Sequence, residues 1–398
     1  MRKLLLLTVF IVLSLSAESY NDYIKAQNSE FNSYSESQNR EFQNYKKELE
    51  REFKIYKKIA QQEEKAFRKE LSKFWGKPIL SDSKKWVEYS RDKKRRKIVD
   101  FEKNSIEIQI IAKPSKSVEK ELMKEVLKTV TATPKDAEQN DELGKRIDKK
   151  FEKQTKQRVE KAKVDNSKPI LIGIFNKPPN SRELVQFAKK SVKKVKQRKA
   201  KVSGQKIYSV KIALPRNFPI KKAKSYSQDV KRYAKQYKVE PALIYAIMHS
   251  ESSFNPRAKS HIPAYGLMQI VPRSAGIDAY FMVYKKKRLL SSSYLFNSRN
   301  NIELGSAYLH ILNYRYLKRV KNPVSRLYCV ISAYNTGAGN VAKTFVGSYS
   351  VKEASKIINR MSPQQVYNKL IRSLPYEETR RYLKKVSKRY SIYKNANI

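Results

Sequence analysis

Cysteine and histidine are scarce in this chain of 398 residues, which contains one cysteine, Cys329, and three histidines. A single cysteine excludes an intrachain disulfide and a metal cluster held by several thiolates. His249, Ser250 and Glu251 have the H-x-E spacing of zinc deaminases, but that motif needs a P-C-x-x-C partner, which one cysteine cannot supply. The zinc-protease spacing H-E-x-x-H is also absent. The sequence therefore predicts neither a metal site nor a cofactor.

Acidic residues are few relative to basic ones. The chain has 86 lysines and arginines against 37 aspartates and glutamates, which gives a formal net charge of +49. Such a field attracts polyanions, among them nucleic acid, anionic lipid and anionic cell-wall polymers. Many lysines can also simply keep helix faces solvated, so charge alone leaves the partner open. The lack of a recognised nucleic-acid motif counts against nucleic acid.

Long apolar runs are absent except at the N-terminus. Arg2 and Lys3 precede an apolar run that begins at Leu4, and small residues follow up to Ala17. This order is typical of a secretory signal peptide over residues 1–17, because the run is short for a membrane span. An uncleaved anchor is the alternative. We expect an exported, periplasmic protein with no lipid-bearing cysteine, and association with the outer membrane or murein stays open.

Hydrophobic periodicity divides the rest of the chain into three predicted parts. Residues 18–75 lack proline and glycine, and their apolar residues have the spacing of an amphipathic helix. Residues 76–221 alternate strand-like and lysine-rich helical stretches, which indicates a small α+β domain. Residues 222–398 have helical periodicity broken by short turns. The predicted fold class is α+β overall, with an all-α C-terminal domain.

Within the predicted α+β domain, alternation indicates strands at residues 98–112, 170–175 and 207–215. The lysine-rich stretches 118–130 and 181–199 are predicted to be helices. We find no metal cluster, phosphate loop or nucleophile motif in this region of the sequence. Its role in targeting, substrate positioning or partner binding therefore stays open.

One carboxylate stands out because it follows an apolar helical pattern. Pro241 suits the first turn of a helix, and Ile244, Ile247 and Glu251 follow at helical spacing. Asn255 precedes a proline, which closes the segment. Apolar neighbours and the negative end of a helix both raise the pKa of a carboxyl group, and a neutral carboxyl can act as a general acid. The alternative is an exposed acid at a frayed helix end.

Five ordered motifs lie between residues 251 and 383: ESSFNPRAKS, AYGLMQIVP, NIELGSAYL, AYNTGAGNV and ETRRYL. Together they resemble the lytic transglycosylases of the soluble-lytic type, whose catalytic domain is related to goose-type lysozyme. The resemblance implies a lysozyme-like helical domain with a groove for peptidoglycan glycan strands. It also implies cleavage of the β-1,4 bond between N-acetylmuramic acid and N-acetylglucosamine, with a 1,6-anhydro product.

The resemblance also implies roles for individual residues. Glu251 matches the catalytic acid and base, and Ser260 matches a serine that contacts the sugar. Gln269 matches a glutamine that lines the groove, and Tyr334 matches a tyrosine that hydrogen-bonds the acid. Asn335 belongs to the same motif as Tyr334 and is expected to contact substrate.

Several positions carry a smaller expectation or a departure. Met268 and Leu267 are expected near the groove, with core packing as the alternative for Leu267, and Tyr382 is expected to have a lesser functional role. Val271 stands where some relatives have a groove-lining methionine. The lipid-bearing cysteine of the membrane-bound members is absent, which leaves membrane attachment in doubt.

Glycosidases commonly use two carboxylates, but only one can be defended here. Asp278 and Glu303 fall in no motif that marks a partner, and we expect a loop position for Asp278 and a solvated helix position for Glu303. A single acid suffices if the substrate's N-acetyl group assists. A lysozyme-type hydrolase and a wall-binding protein without turnover remain the alternative functions.

Overall fold

The structure is a computed structural model that describes residues 48, 51–156, 168–260, 263–272, 275–286, 290–396 and 398. The chain divides into two compact units, Met1–Arg51 and Glu52–Ile398, and all the described residues except 48 and 51 belong to the second. The predicted signal peptide, residues 1–17, lies outside the described residues. Among the helices that are described, none is both long enough and apolar enough to cross a bilayer.

A helix, α1, covers residues 51–71 and leads into the sheet. Its apolar stripe ends in Phe67 and Leu71, which pack with Trp75 against Ile111 and Ile207 of the sheet. The Trp75 indole N–H donates to the Lys93 carbonyl at 2.7 Å, so this bulky ring is buried without an unpaired donor. The end of α1 is therefore anchored to the sheet.

The sheet has five antiparallel strands in the order β1-β2-β3-β5-β4. The strands are β1 Lys85–Tyr89, β2 Arg95–Asp100, β3 Ser105–Ala112, β4 Lys196–Lys199 and β5 Lys206–Ala213. Ile106, Ile108 and Ile110 of β3 are buried on one face, as alternation requires. The helices of this region are α2 Ser117–Thr131, α3 Pro134–Gln139, α4 Glu142–Thr155 and α5 Ser181–Ser191. The sequence prediction of an α+β region is confirmed.

Two local predictions are wrong. Residues 170–175 form a turn rather than a strand, because Gly173 has φ +104° and its neighbours are hydrogen-bonded in tight turns. Ile170 and Leu171 are nevertheless buried, which explains their apolar character. The stretch 181–199 is not one helix: α5 ends at Ser191, and β4 follows as an edge strand because β5 supplies its backbone partners.

The rest of the described chain is helical. The helices are α6 Phe218–Ser225, α7 Ser227–Tyr237, α8 Pro241–Ser252, α9 Ala275–Tyr284, α10 Ser292–Phe296, α11 Ser298–Ile311, α12 Pro323–Thr336, α13 Ala338–Val346, α14 Val351–Ile358, α15 Pro363–Ser373 and α16 Glu377–Asn395. A π-helical turn, Leu312–Tyr316, follows α11. The long last helix α16 packs along α8 and against α12. The predicted all-α C-terminal region is confirmed, and α8 lies at its centre.

Candidate active site

Helix α8 carries Glu251 in its last turn. Pro241 begins the helix, and Ile244, Ile247 and Met248 are fully buried. Ser253 takes a left-handed conformation with φ 52°, which ends the helix just after Glu251. Glu251 itself is half-buried, so its carboxyl group lies at the edge of the core. The predicted helix and the predicted position of the acid near its C-terminus are both present.

The Glu251 carboxyl group is held by Tyr382 of α16. The Tyr382 hydroxyl donates to Glu251 Oε1 at 2.7 Å. Burial raises the pKa of Glu251 to about 7, while the Tyr382 hydrogen bond and the cation of Lys84 oppose the rise. Glu378 adds to the rise and Lys385 opposes it. Near neutral pH a large fraction of Glu251 therefore carries a proton that it can donate.

Tyr334 does not form the hydrogen bond expected from the resemblance. Its hydroxyl donates to the Met268 carbonyl at 2.8 Å, and a hydroxyl has only one proton to donate. Burial raises the pKa of Tyr334, and the nearby Glu251 charge adds to the rise. Tyr334 thus lies close to the acid but holds the turn that contains Met268, while Tyr382 holds the acid. The expectation of a lesser role for Tyr382 underestimated this residue.

The turn Tyr265–Ile270 is organised by Asn301, a residue that sequence reasoning missed. The side chain of Asn301 is fully buried in α11. Its Oδ1 accepts from the Met268 N–H at 2.7 Å, and its Nδ2 donates to the Tyr265 and Leu295 carbonyls, both at 2.8 Å. A buried polar residue inside the NIELG motif was the signal that could have revealed it.

Glycine is required in this turn. Gly266 has φ +76°, and a Cβ there would lie 2.3 Å from the Asn301 side chain and from the Leu295 carbonyl. Any side chain at this position would therefore both strain the backbone and displace Asn301. The glycine of the GLMQ motif permits the close approach between the turn and α11.

Met268 is a core residue rather than a groove-lining one, so its expected contact with substrate is wrong. It is fully buried, as is Leu267. A Cβ at Gly305 would lie 2.2 Å from Met268 Sδ, so α11 has a glycine where the methionine packs. The apolar pattern alone could not distinguish a buried core position from a groove-lining one.

The other predicted residues occupy different places around the turn. Gln269 is half-buried, and its Nε2 donates to the carbonyls of Ala258 at 3.2 Å and Gly266 at 3.0 Å. Ser260 Oγ accepts from the Ala264 N–H at 3.2 Å, and Ser260 lines a cavity of about 260 Å³ between the helical and α+β regions. The structure therefore ties Gln269 and Ser260 to the loop around the turn.

Asn335 connects two of the helices that surround Glu251. Its Oδ1 accepts from Thr379 Oγ1 at 2.7 Å, which joins α12 to the first turn of α16. Thr379 lies one helical turn before Tyr382, so this bond fixes the segment of α16 that presents the tyrosine. The observed contact of Asn335 is thus structural.

Asp278 and Glu303 each accept a hydrogen bond from a tyrosine hydroxyl. Asp278 lies in α9, not in a loop, and its Oδ2 accepts from Tyr316 at 3.1 Å. Glu303 accepts from Tyr284 at 2.7 Å. Among the described residues, no group of three or more histidine, cysteine or acidic side chains is placed to hold a metal ion.

Comparison with known proteins defines the class of this domain. Residues 228–357 match the family model described as "Transglycosylase SLT domain". The match covers Glu251, the turn Tyr265–Ile270, Asn301 and Tyr334, and it ends before α16. The resemblance to soluble-lytic transglycosylases is confirmed.

Particular relatives carry a more specific name. The chain is 47% identical over 188 residues to membrane-bound lytic murein transglycosylase C from Klebsiella pneumoniae, covering 47% of this chain and 51% of the relative. It is 46% identical over 190 residues to the protein of the same name from Sodalis glossinidius, covering 48% and 52%. The chain thus spans about half the length of these curated relatives.

A solved structure with lower similarity is the 70 kDa soluble lytic transglycosylase from Escherichia coli. It is 27% identical, with a TM-score of 0.33 over 43% of this chain and 24% of that chain.

Proposed function

We propose that this protein is a lytic murein transglycosylase that cuts the β-1,4 bond between N-acetylmuramic acid and N-acetylglucosamine in peptidoglycan. The observation that carries the proposal is Glu251, a half-buried acid whose pKa burial raises to about 7, in a transglycosylase SLT domain. Most lysozyme-like chemistry needs a proton donor at neutral pH, and Glu251 has that property. The relatives bearing the murein transglycosylase name support the substrate class.

The mechanism uses one carboxyl group twice. Protonated Glu251 donates its proton to the glycosidic oxygen while the bond from that oxygen to C1 of the muramyl sugar breaks, and the bonding electrons leave with the oxygen. The carbonyl oxygen of the substrate's own N-acetyl group donates electron density to the electron-deficient C1. The ionised Glu251 then removes the proton from the C6 hydroxyl while the oxygen of that hydroxyl bonds to C1 and displaces the N-acetyl oxygen. The 1,6-anhydro ring forms, the acid is regenerated and no water is consumed.

The geometry around Glu251 suits this double role. A pKa near 7 makes the group an effective donor and an effective acceptor at the same pH. Tyr382 bonds one carboxyl oxygen, Oε1, and we expect the other, Oε2, to exchange the proton with the substrate. Tyr382 is thus a positioning residue for the acid.

The test is digestion of purified sacculi followed by borohydride reduction of the released muropeptides. A reducing muramic acid end takes up two hydrogens, whereas a 1,6-anhydro end does not react. We expect product masses unchanged by reduction. Products that all gain two hydrogens would instead identify a lysozyme-type hydrolase, and binding without release would identify a wall-binding protein.

The activity of the wild-type protein is expected to fall as pH rises through about 7. Glu251 must be protonated to start the reaction, and its pKa of about 7 means that the acid form is lost above that pH. Initial rates of muropeptide release at low substrate concentration, measured between pH 5 and pH 9, would report this pKa as roughly the midpoint of the alkaline limb. A rate that stays flat to pH 9 would contradict the assignment of Glu251 as the acid.

Replacement of Tyr382 by phenylalanine is expected to slow muropeptide release about tenfold and to move the alkaline limb to higher pH. The Tyr382 hydrogen bond favours the ionised carboxylate, so its loss raises the pKa of Glu251. Tyr334→Phe is the matched variant, since it also removes one tyrosine hydroxyl but from a bond to the Met268 carbonyl. The limb of Tyr334→Phe should stay at the wild-type pH. A limb that moved only in Tyr334→Phe would show that Tyr334 holds the acid.

We infer that the protein is exported and acts in the periplasm on glycan strands, with anionic wall or membrane surfaces as further ligands for its charge of +49. The apolar run near the N-terminus and the membrane-bound names of the relatives support this location. The one cysteine, Cys329, is buried in the core and is therefore not placed to carry a lipid. Fractionation of cells would test the location, and recovery from the cytoplasm with an uncleaved leader would contradict it.

A further inference from the structure

Lys84 reaches the catalytic helix from a different part of the molecule. It lies in the α+β region, immediately before β1. Its Nζ donates at 2.7 Å to the carbonyl of Ser250, the residue that precedes Glu251. The two residues are 166 positions apart in the sequence, so neither the motifs nor the resemblance indicated this contact.

The turn that presents Lys84 is held on both sides. Asp82 Oδ1 accepts from the N–H groups of Lys84 and Lys85, both at 2.7 Å. The Lys84 carbonyl accepts from the Phe101 N–H at 2.9 Å, and Phe101 is buried in the sheet core. Because hydrogen bonds fix the backbone of this turn at three points, the Lys84 side chain extends from a rigid segment. A rigid segment allows an active site to place a charge precisely.

The ammonium group of Lys84 lies at the C-terminal end of α8. The last carbonyls of a helix lack partners within the helix, and the helix end carries a partial negative charge that attracts a cation. Burial, and after it the Lys385 cation, lower the pKa of Lys84 to about 7, while Glu251 and Glu102 oppose the fall. Its ammonium group is therefore poorly solvated and interacts strongly with nearby charges.

Other charged and polar groups surround Glu251 and Lys84. Glu378, Tyr382 and Lys385 of α16 and Tyr334 of α12 interact with Glu251. Arg389 of α16 and Glu102, which follows β2, interact with Lys84, and Glu102 pairs with Lys385 at 3.7 Å. Arg389 donates to Ser250 Oγ at 3.1 Å, so two cations hold Ser250 from opposite regions of the molecule. Lys84 is the cation that the α+β region adds to this set.

We propose that Lys84 is a positioning residue for Glu251, through which the α+β region contributes a cation to the active site of the helical domain. Holding the Ser250 carbonyl fixes the last turn of α8, and the positive charge favours the ionised carboxylate. Without this cation the buried acid would release its proton less readily, so it would be a weaker donor to the leaving oxygen in the first step. This inference rests on the proposed role of Glu251 as acid and base.

The test compares the wild-type chain with Lys84→Met and Lys84→Arg. The methionine variant keeps the apolar stem and removes the charge, so the pKa of Glu251 should rise by about one unit. Titration of the Glu251 side-chain carboxyl by carbon NMR measures that change without reference to activity. The alkaline limb of the pH–rate profile should move to higher pH by the same amount. The maximal rate of muropeptide release should be lower than that of the wild type. The arginine variant keeps a positive charge over the whole pH range, so its Glu251 pKa should not rise.

Lys103→Met is the matched control. Lys103 is an exposed lysine of the same α+β region, in the turn between β2 and β3, and its loss changes the net charge equally. In this variant neither the pKa of Glu251 nor the alkaline limb of the pH–rate profile should change. Melting temperatures of all four proteins separate a folding defect from a change in the site, because a merely structural lysine would lower stability without shifting the titration of Glu251.

Two outcomes would overturn the proposal. One is a Glu251 titration in Lys84→Met that coincides with the wild type, and the other is an arginine variant that shifts as far as the methionine variant. The proposed function fails separately. A shifted titration in a chain that releases no anhydro-muropeptides would leave Lys84 as a neighbour of the acid and remove the transglycosylase assignment.

Discussion

Replacement of Glu251 by glutamine is expected to reduce the release of muropeptides from sacculi by on the order of a thousandfold or more. The amide has nearly the same shape and can still accept the hydrogen bond from Tyr382, but it has no acidic proton to donate. Both halves of the mechanism fail together, because the same group is the acid and the base. Binding of the variant to sacculi should persist, since its cationic surface is unchanged.

Glu303→Gln is the control for this experiment. Glu303 is also a half-buried glutamate that accepts a tyrosine hydroxyl, from Tyr284 at 2.7 Å, but it lies in α11 and its tyrosine partner belongs to α9. It should retain activity close to the wild type. Equal product release by wild type and Glu251→Gln would mean that the site is wrongly assigned, and a loss confined to Glu303→Gln would point to α11 instead.

Replacement of Asn301 by leucine is expected to destabilise the helical domain by about 3 kcal/mol and to abolish most activity. Leucine fills a similar volume but removes the bonds of Asn301 to the Met268 N–H and to the Tyr265 and Leu295 carbonyls, of which the Tyr265 carbonyl keeps the Ile270 N–H at 3.1 Å. Buried backbone groups that lose their partners cost free energy, and the turn Tyr265–Ile270 would shift to recover them. Thermal unfolding and muropeptide release measure the two effects.

The neighbouring Asn300→Leu variant tests whether position or chemistry matters. Asn300 lies in the same helix and is half-buried, and its backbone N–H, rather than its side chain, bonds to Asn297. Its melting temperature should stay within a few degrees of the wild type, while that of Asn301→Leu falls well below it. Equal melting temperatures for the two variants would show that the Asn301 network does not stabilise the turn.

The sequence predicted the part of the site that local patterns encode. Proline at the start of α8, apolar spacing along it and Asn255 before Pro256 were enough to place Glu251 near a helix end with a raised pKa. The structure agrees, with burial as the main cause of the rise. Local patterns succeed here because the position of Glu251 near the end of α8 is set by the residues of that helix and its C-terminal turn.

Contacts between distant segments could not be predicted in the same way. Tyr382 and Tyr334 are both tyrosines in C-terminal helices, and only the packing of α16 along α8 decides that Tyr382 bonds Glu251. Lys84 was one lysine among many, and its contact with Ser250 depends on how the α+β region meets α8. Periodicity reports the environment of a segment but not its partner.

The errors in the α+β region have a related cause. Lysine-rich residues 196–199 have no strand-like alternation, yet they form β4 because the edge of β5 offers hydrogen-bond partners. Residues 170–175 do alternate, yet Gly173 turns the chain and Ile170 and Leu171 are buried in a turn. In both places tertiary structure overrides local propensity.

The most direct test of a single carboxylate acting as acid and base is digestion of sacculi by the wild-type chain in heavy-oxygen water. Intramolecular attack by the C6 hydroxyl brings in no solvent oxygen, so the released muropeptides should carry none of the heavy isotope and should have anhydro ends. A heavy oxygen at C1 of every released muramic acid would show that water is the nucleophile and would contradict the proposed mechanism.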